Sequence, residues 1–377
     1  MIPSDLPKLK FGLLPPNSNF VPRLAGDMLT AIELGLAETR LDAEIVVESA
    51  GYNADLKMLV PAIQRLILAG RVDCIIVPLN VSVIESIAEH CRSQAVPLIA
   101  LNLTEDPLFE TSRNPFIFVN SFHLWRSAWM SGYLAAKHFG GRGATMAPIH
   151  EGGYGLAFAF QLGLEAAQGG LVQAVVTHRN SNTEDPSASI SEIAAQNPDF
   201  IWAAYSGKEA ISFLDAFRAS GLRDKIPLMT IPTMVSQNVR QSAGESIDKI
   251  WYVTQKNPET DDSANSLADA LGREPNPYAL LAYEAIHLIA AAVRNAGETK
   301  NLAEALPEFL GQSEFQSRDG SVRFNSGSIS NTFYLRQING AEDTVEKVEA
   351  PPLLDEQYQL ACKKLVKQGW INPYLCA

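Results

Sequence analysis

Four polar residues close two apolar runs in this chain. Asn80 and Ser82 follow Val72 to Leu79, and Asn102 and Thr104 follow Val96 to Leu101. Amide and hydroxyl groups of this kind can hydrogen-bond a small molecule. Between the two runs, Val83, Ile84, Ile87 and Ala88 recur at helical spacing. The pattern therefore predicts a strand, a polar turn, a helix and a second strand. In an open α/β sheet, ligands bind in the crevice beyond the carboxyl ends of the strands, where these four residues fall.

Other chemistries find less support. His150 beside Glu151 has the look of a catalytic pair, yet such a pair in a turn is more often ordinary surface. The six histidines show no metal-ligand spacing, and no Walker A, His-Glu-x-x-His or Gly-x-Ser-x-Gly string occurs. The region of Gly12 lacks the Gly-x-Gly-x-x-Gly turn that cradles a dinucleotide. An enzyme, a cofactor and a metal site are therefore not expected.

The elements that must position these groups alternate along the chain. Lys8 to Leu14 reads as a strand, Leu24 to Glu38 as a helix, Ala43 to Glu48 as a strand and Leu56 to Leu68 as a helix. After the opening unit comes a strand at Phe116 to Val119. Past Asn120 the alternation restarts, with helices at Trp125 to His138, Ser187 to Gln196 and Lys208 to Ser220. Glu151 to Gly155 reads as a glycine-rich turn into a further helix that ends near Ala167. Strands fall at Ala144 to Ile149, Val172 to Val176, Phe200 to Ala204, Pro227 to Ile231 and Ile250 to Val253. Helices at Tyr278 to Ala296 and Leu302 to Phe309 precede a closing strand pair, Ser321 to Phe324 with Thr332 to Ile338, and a last helix near Gln357 to Lys367. This is an α/β chain with mainly parallel sheets covered on both faces.

At 377 residues the chain suits two domains. A net charge of −12 without a Lys/Arg cluster argues against a nucleic-acid partner. No apolar run reaches the roughly 18 residues that span a bilayer, so direct membrane insertion is not expected. The start, MIPSDLPKLKFGLL, lacks the apolar stretch of a signal peptide. Either a leader has been removed or Met1 is native and the protein cytoplasmic. Cys74, in a buried strand, is expected to be core; a link to Cys91, or one between Cys362 and Cys376, stays open.

The ordered set of strings resembles the type I periplasmic solute-binding proteins, in particular the leucine/isoleucine/valine-binding receptors of ABC transporters. The strings are Val72 to Pro78 followed by Ser82, Val96 to Ile99 followed by Asn102 and Thr104, Tyr154-Gly155 opening a helix, Asp185 ahead of a helix, Asn197 to Phe200, and Asp319 to Phe324. The resemblance runs from Lys8 to about Ile338. It implies two Rossmann-like lobes joined by a three-strand hinge that closes on a ligand. The crossovers are expected near residues 120–121, 253–254 and 331–333. One lobe is then 1–121 with 254–331, and the other 122–253 with 332–377.

The resemblance also implies a site. Ser82 and Thr104 match ligand-binding hydroxyls, Asn102 a backbone contributor, Tyr154 a cleft aromatic, and Tyr205 with Ser206 a ligand-contacting loop. Ser82 could instead be a plain helix N-cap, and Thr104 could cap the turn at Glu105 and Asp106. Asn80, and Phe20 or Arg23 from the first loop, are further candidates, and Trp202 is either a wall of the site or core. Near Thr233, relatives that bind α-amino acids often carry a carboxylate for the ligand's ammonium. Glu105, Asp106 or Glu209 could substitute, or the ligand carries no ammonium. The expected partners are a small amino acid, amide or carboxylate and a transporter permease, with a periplasmic location. A ligand-sensing regulator of the same fold is the alternative.

Overall fold

The computed structural model describes residues 8–18, 23–53, 55–79, 81–103, 116–148, 155–177, 185–255, 263–296, 301–312, 315–317, 320–322, 332–340 and 342–365. The chain forms two compact units. Met1–Phe122 and Asn257–Ser330 belong to the first, His123–Lys256 and Asn331–Ala361 to the second.

In the first unit, strands β1 (Leu9–Leu13), β2 (Ala43–Val47), β3 (Cys74–Pro78), β4 (Leu98–Asn102) and β5 (Ile117–Ser121) form a parallel sheet in the order β2-β1-β3-β4-β5. Every residue of β3, β4 and β5 is buried. That is why these strands read as continuous apolar runs: both faces are covered. Helices α1 (Leu24–Thr39), α2 (Leu56–Arg65) and α3 (Val81–Gln94) connect the early strands, and α2 continues as a π-helical turn, Leu66–Gly70. One face carries Leu59, Ile63 and Leu66 with Ile84, Ile87 and Cys91 against Ile75, Val77, Leu98 and Ala100. In α1 the buried Leu24, Met28, Ala31, Ile32 and Gly35 share one stripe.

The second unit contains α4 (Leu124–Phe139), β6 (Arg142–Pro148), α5 (Leu156–Ala166), β7 (Gly170–Thr177), α6 (Ser187–Ala194), β8 (Phe200–Ala203), α7 (Gly207–Ala219), β9 (Leu228–Thr230), α8 (Gln237–Ala243) and β10 (Trp251–Thr254). The chain returns to the first unit for α9 (Ser263–Leu271), α10 (Pro277–Ala296), α11 (Leu302–Gln312) and the small hairpin β11 (Phe315–Ser317) and β12 (Gly320–Val322). Helix α10 packs along α1, where Gly35 lets Ile286 approach closely. The second sheet is completed by β13 (Thr332–Asn339) and β14 (Glu342–Glu349), and α12 (Leu353–Leu365) begins in this unit. Its order is β14-β13-β10-β9-β8-β6-β7, parallel from β7 to β10 and antiparallel at β13 and β14.

The closing strand pair expected from sequence is corrected. Strand β13 pairs with β10 on one side and β14 on the other, while Ser321 and Val322 pair with β11. Helix α12 starts at Leu353, earlier than expected. Its anchor is α4, where Arg126 Nη1 meets Asp355 Oδ1 at 2.6 Å, Trp129 Nε1 donates to Gln357 Oε1 at 2.7 Å, and Trp125 packs edge-on to Tyr358. Cys74 and Cys91 are buried free thiols, so a link between them is not formed. Burial pushes Cys91 up to about 12 and raises Cys74 further, which keeps both protonated and inert.

Candidate functional site

Each parallel sheet has one place where its strand order reverses. In the first unit the chain passes from β1 outward to β2, then returns to β3 on the other side of β1. In the second it passes from β6 to β7 and returns to β8. The strand ends diverge at these switch points and leave a crevice. Of the described candidate residues, Asn102 ends β4, Tyr205 and Ser206 follow β8, and Thr233 follows β9.

In the first unit, the end of β3 is held from both sides by asparagine amides. Asn102, 2% exposed at the end of β4, donates from Nδ2 to the Leu79 carbonyl at 3.0 Å. Asn53, also 2% exposed, donates from Nδ2 to the carbonyls of Leu14 at 2.8 Å and Pro78 at 3.2 Å. Helix α3 starts three residues after Pro78, and Ser82 lies in its first turn, with its side chain outside the described residues. Asn80, Thr104 and Phe20 also lie outside the described residues, as do Glu105 and Asp106. Arg23 is exposed, with left-handed backbone at the start of α1.

The second unit holds β8 in a matching way. Thr230, in the neighbouring β9, donates from Oγ1 to the Ala203 carbonyl at 2.7 Å. From β7, Thr177 Oγ1 lies 2.9 Å from the Tyr205 hydroxyl. Tyr205 is fully buried, with its ring stacked on Phe213 at 4.7 Å between centroids. Ser206 is half-buried at the start of α7, with no side-chain cap bond. Thr233 sits in a single 3-10 turn, Pro232–Val235, directly after β9. Its Oγ1 is buried with no hydrogen-bond partner among the described residues. Glu209, 9% exposed, occupies the first turn of α7. Trp202 is core: it is fully buried and stacks on Phe160 at 4.8 Å. Tyr154, His150 and Glu151 lie outside the described residues.

The sequence reading missed Asn53, Thr177 and Thr230. Asn53 and Thr177 follow strands that had been assigned and Thr230 lies inside one, but the partner carbonyl or hydroxyl of each is on, or just beyond, a different strand. Among the described residues no group of three or more His, Cys, Asp or Glu side chains could hold a metal ion, and no helix is long and apolar enough to cross a membrane.

Two α/β units, each with a mainly parallel sheet whose strand order reverses once, are the architecture of a type I periplasmic binding protein. The chain belongs to the periplasmic binding protein family, whose description matches residues 8–343. No curated protein sequence matches it. Similar solved structures include the solute-binding protein of an ABC transporter from R. palustris in complex with benzoate, 21% identical. That likeness has a TM-score of 0.69 over 92% of this chain and 97% of the other. A second R. palustris protein (strain BisB5), in complex with 3,4-dihydroxy benzoic acid, is 18% identical, with a TM-score of 0.70 over 91% and 97%. The branched-chain amino acid binding protein LivJ of Streptococcus pneumoniae, in complex with isoleucine, is 16% identical, with a TM-score of 0.65 over 91% and 100%.

Proposed function

We propose that this chain is the extracytoplasmic solute receptor of an ABC transporter and binds a small carboxylate by hinge closure of two lobes. The observation that carries this reading is family membership across residues 8–343. In the proposal the lobes are residues 1–121 with 254–331 and residues 122–253 with 332–377. The hinge lies near 120–121, 253–254 and 331–333. The transporter's permease is the macromolecular partner, and the periplasm the compartment.

The ligands named for the similar structures support a carboxylate, since benzoate, 3,4-dihydroxy benzoic acid and isoleucine all carry one. Ser82 and the start of α3, with Asn80, Asn102, Thr104 and Phe20, form one side of the proposed site. An α-helix N-terminus favours an anion through its unpaired N–H groups and its dipole. Tyr154, Tyr205, Ser206 and Thr233 form the other side. A neutral hydroxyl at Thr233 suits a ligand without an ammonium, because a buried cation needs a partner. An aromatic carboxylate is therefore the favoured class, and an amino acid would call on Glu209 instead.

A melting-shift screen with benzoate, 4-hydroxybenzoate, isoleucine, acetamide and urea tests the reading. A ligand present at 100 times its Kd adds about 2.7 kcal/mol by mass action. A response to the benzoates is expected. A response to isoleucine alone would move the ligand class to amino acids, and silence across all five would sink the receptor reading.

A further inference from the structure

We infer that Asn53 is a positioning residue for the first unit's half of the binding site; its effect on affinity rests on the receptor reading above, while its effect on the loops does not. The turn that follows β2 is tied to both strand ends at the switch point. Asn53 Nδ2 donates to Leu14, the first residue beyond β1, and to Pro78, the last residue of β3. The Asn17 N–H donates to the Gly51 carbonyl at 2.7 Å, which fastens the loop leaving β1 to the same turn. Leu79, next to Pro78, donates to the Leu101 carbonyl and accepts from Asn102. One side chain thus joins the β1 exit, the β2 exit and the β3 exit at the point from which α3 starts.

Three features make the residue specific to this task. Its backbone is left-handed, at φ 56°, a region that asparagine enters more readily than most non-glycine residues. The amide must face the two carbonyls with its nitrogen, since Oδ1 in that place would be repelled by both. Oδ1 is buried with no hydrogen-bond partner among the described residues. Asn53 spends its amide nitrogen on the two carbonyls and not on a ligand. It acts through the β1 exit loop and the first turn of α3.

The test compares the full chain with Asn53→Ala, Asn53→Asp and a control, Thr39→Ala. Thr39 is buried in the same unit and donates to the Gly35 carbonyl at the far end of α1, so its loss lowers stability without touching the switch point. Hydrogen exchange is measured without ligand, and Kd is measured for benzoate and isoleucine by calorimetry. Both Asn53 variants are expected to speed exchange at least tenfold at Leu14, Asn17 and Leu79 and to weaken binding at least tenfold. The control leaves both readouts within twofold of wild type. Unchanged exchange in Asn53→Ala, or wild-type behaviour in Asn53→Asp, overturns the inference. If exchange rises as expected but the unaltered chain binds neither compound, the brace stands and the ligand reading falls.

Discussion

Helices α4 and α5 cross at a pair of glycines, and replacing one of them gives a sharp test of the second unit's packing. A Cβ added at Gly132 would lie 2.0 Å from the Phe160 carbonyl oxygen and 2.8 Å from the Leu164 nitrogen. The reciprocal Gly163 would meet the Trp129 carbonyl oxygen at 1.9 Å. Both obstacles are backbone, so no side chain can swing aside. To reach ordinary contact, the helices must separate by roughly 1.4 Å, enough to forfeit much of the dispersion attraction along the crossing. Phe160 also stacks on Trp202 and meets Phe200 edge-on, so the shift spreads into the aromatic core over β8. Overpacking costs about 1–3 kcal/mol, and more where backbone must move, while Ala for Gly in a helix returns up to about 1 kcal/mol. Gly132→Ala should therefore lose about 2 kcal/mol net, or about 4–8 °C in Tm for a unit of this size. Gly26→Ala is the control. It lies in α1 with nothing within 4 Å of the added Cβ, and it should gain about 0.5–1 kcal/mol. Urea unfolding with m held constant measures both. If Gly132→Ala proves as stable as Gly26→Ala, the close crossing is wrong.

Two titrating groups should shape stability at acid pH. Burial, and then the charge of Arg126, push His123 down to about 3. The folded chain keeps this imidazole neutral while the unfolded chain protonates it below about 6.5. Stability from this group should fall as pH drops from about 6.5 toward 3, with a slope of at most about 1.4 kcal/mol per pH unit. His123→Asn should flatten that part of a Tm-versus-pH curve, and an unchanged slope would refute the assignment. Asp343 works lower in the range. Burial alone would raise its carboxyl, but hydrogen bonds from Arg240 and Tyr252, with the charges of Arg240 and Arg336, hold it below the usual value. Its contribution should be present above about pH 4 and be lost as pH falls through its folded value. Asp343→Asn should remove this acid limb and leave the limb above pH 5. Asp355→Ala should cost about 1–3 kcal/mol, because it takes the 2.6 Å partner from a guanidinium whose side chain is 2% exposed. Arg126→Met should cost less, since the methionine refills the space with apolar atoms, and chemical denaturation ranks the two.

Legibility in the sequence followed local physics. Strands β3, β4 and β5 announced themselves because burial on both faces demands unbroken apolar runs, and α1 did so through its single buried stripe. Strand β14, Glu-Asp-Thr-Val-Glu-Lys-Val-Glu, was invisible. It is an edge strand whose charges suit solvent, and only its pairing with β13, Thr332 opposite Glu349, makes it a strand. The brace at Asn53 was hidden for a different reason. Its two acceptors lie 39 and 25 positions away, so the chemistry of the amide depends on the sheet order. Trp202 could be wall or core by type alone, and its stacking on Phe160 decided for core.

Two of the polar residues chosen from sequence at the sheet ends, Asn102 and Tyr205, serve the backbone and the core. Asn102 spends an amide hydrogen on Leu79, and Tyr205 meets Thr177 with its hydroxyl while its ring packs on Phe213. Both sit where a ligand residue was expected, yet both have polar atoms engaged inside their own unit. This separates two ways of influencing binding, and Tyr205→Phe distinguishes them. The variant keeps the stacked ring and loses the buried contact with Thr177, which should cost about 1 kcal/mol. If Tyr205 acts by holding the loop after β8, Tm falls and Kd for a screened carboxylate changes by less than about threefold, since the remaining brace at Thr230 still fixes Ala203. A tenfold loss of affinity at unchanged Tm would show the hydroxyl bonding the ligand directly and would refute the view of Tyr205 as a brace.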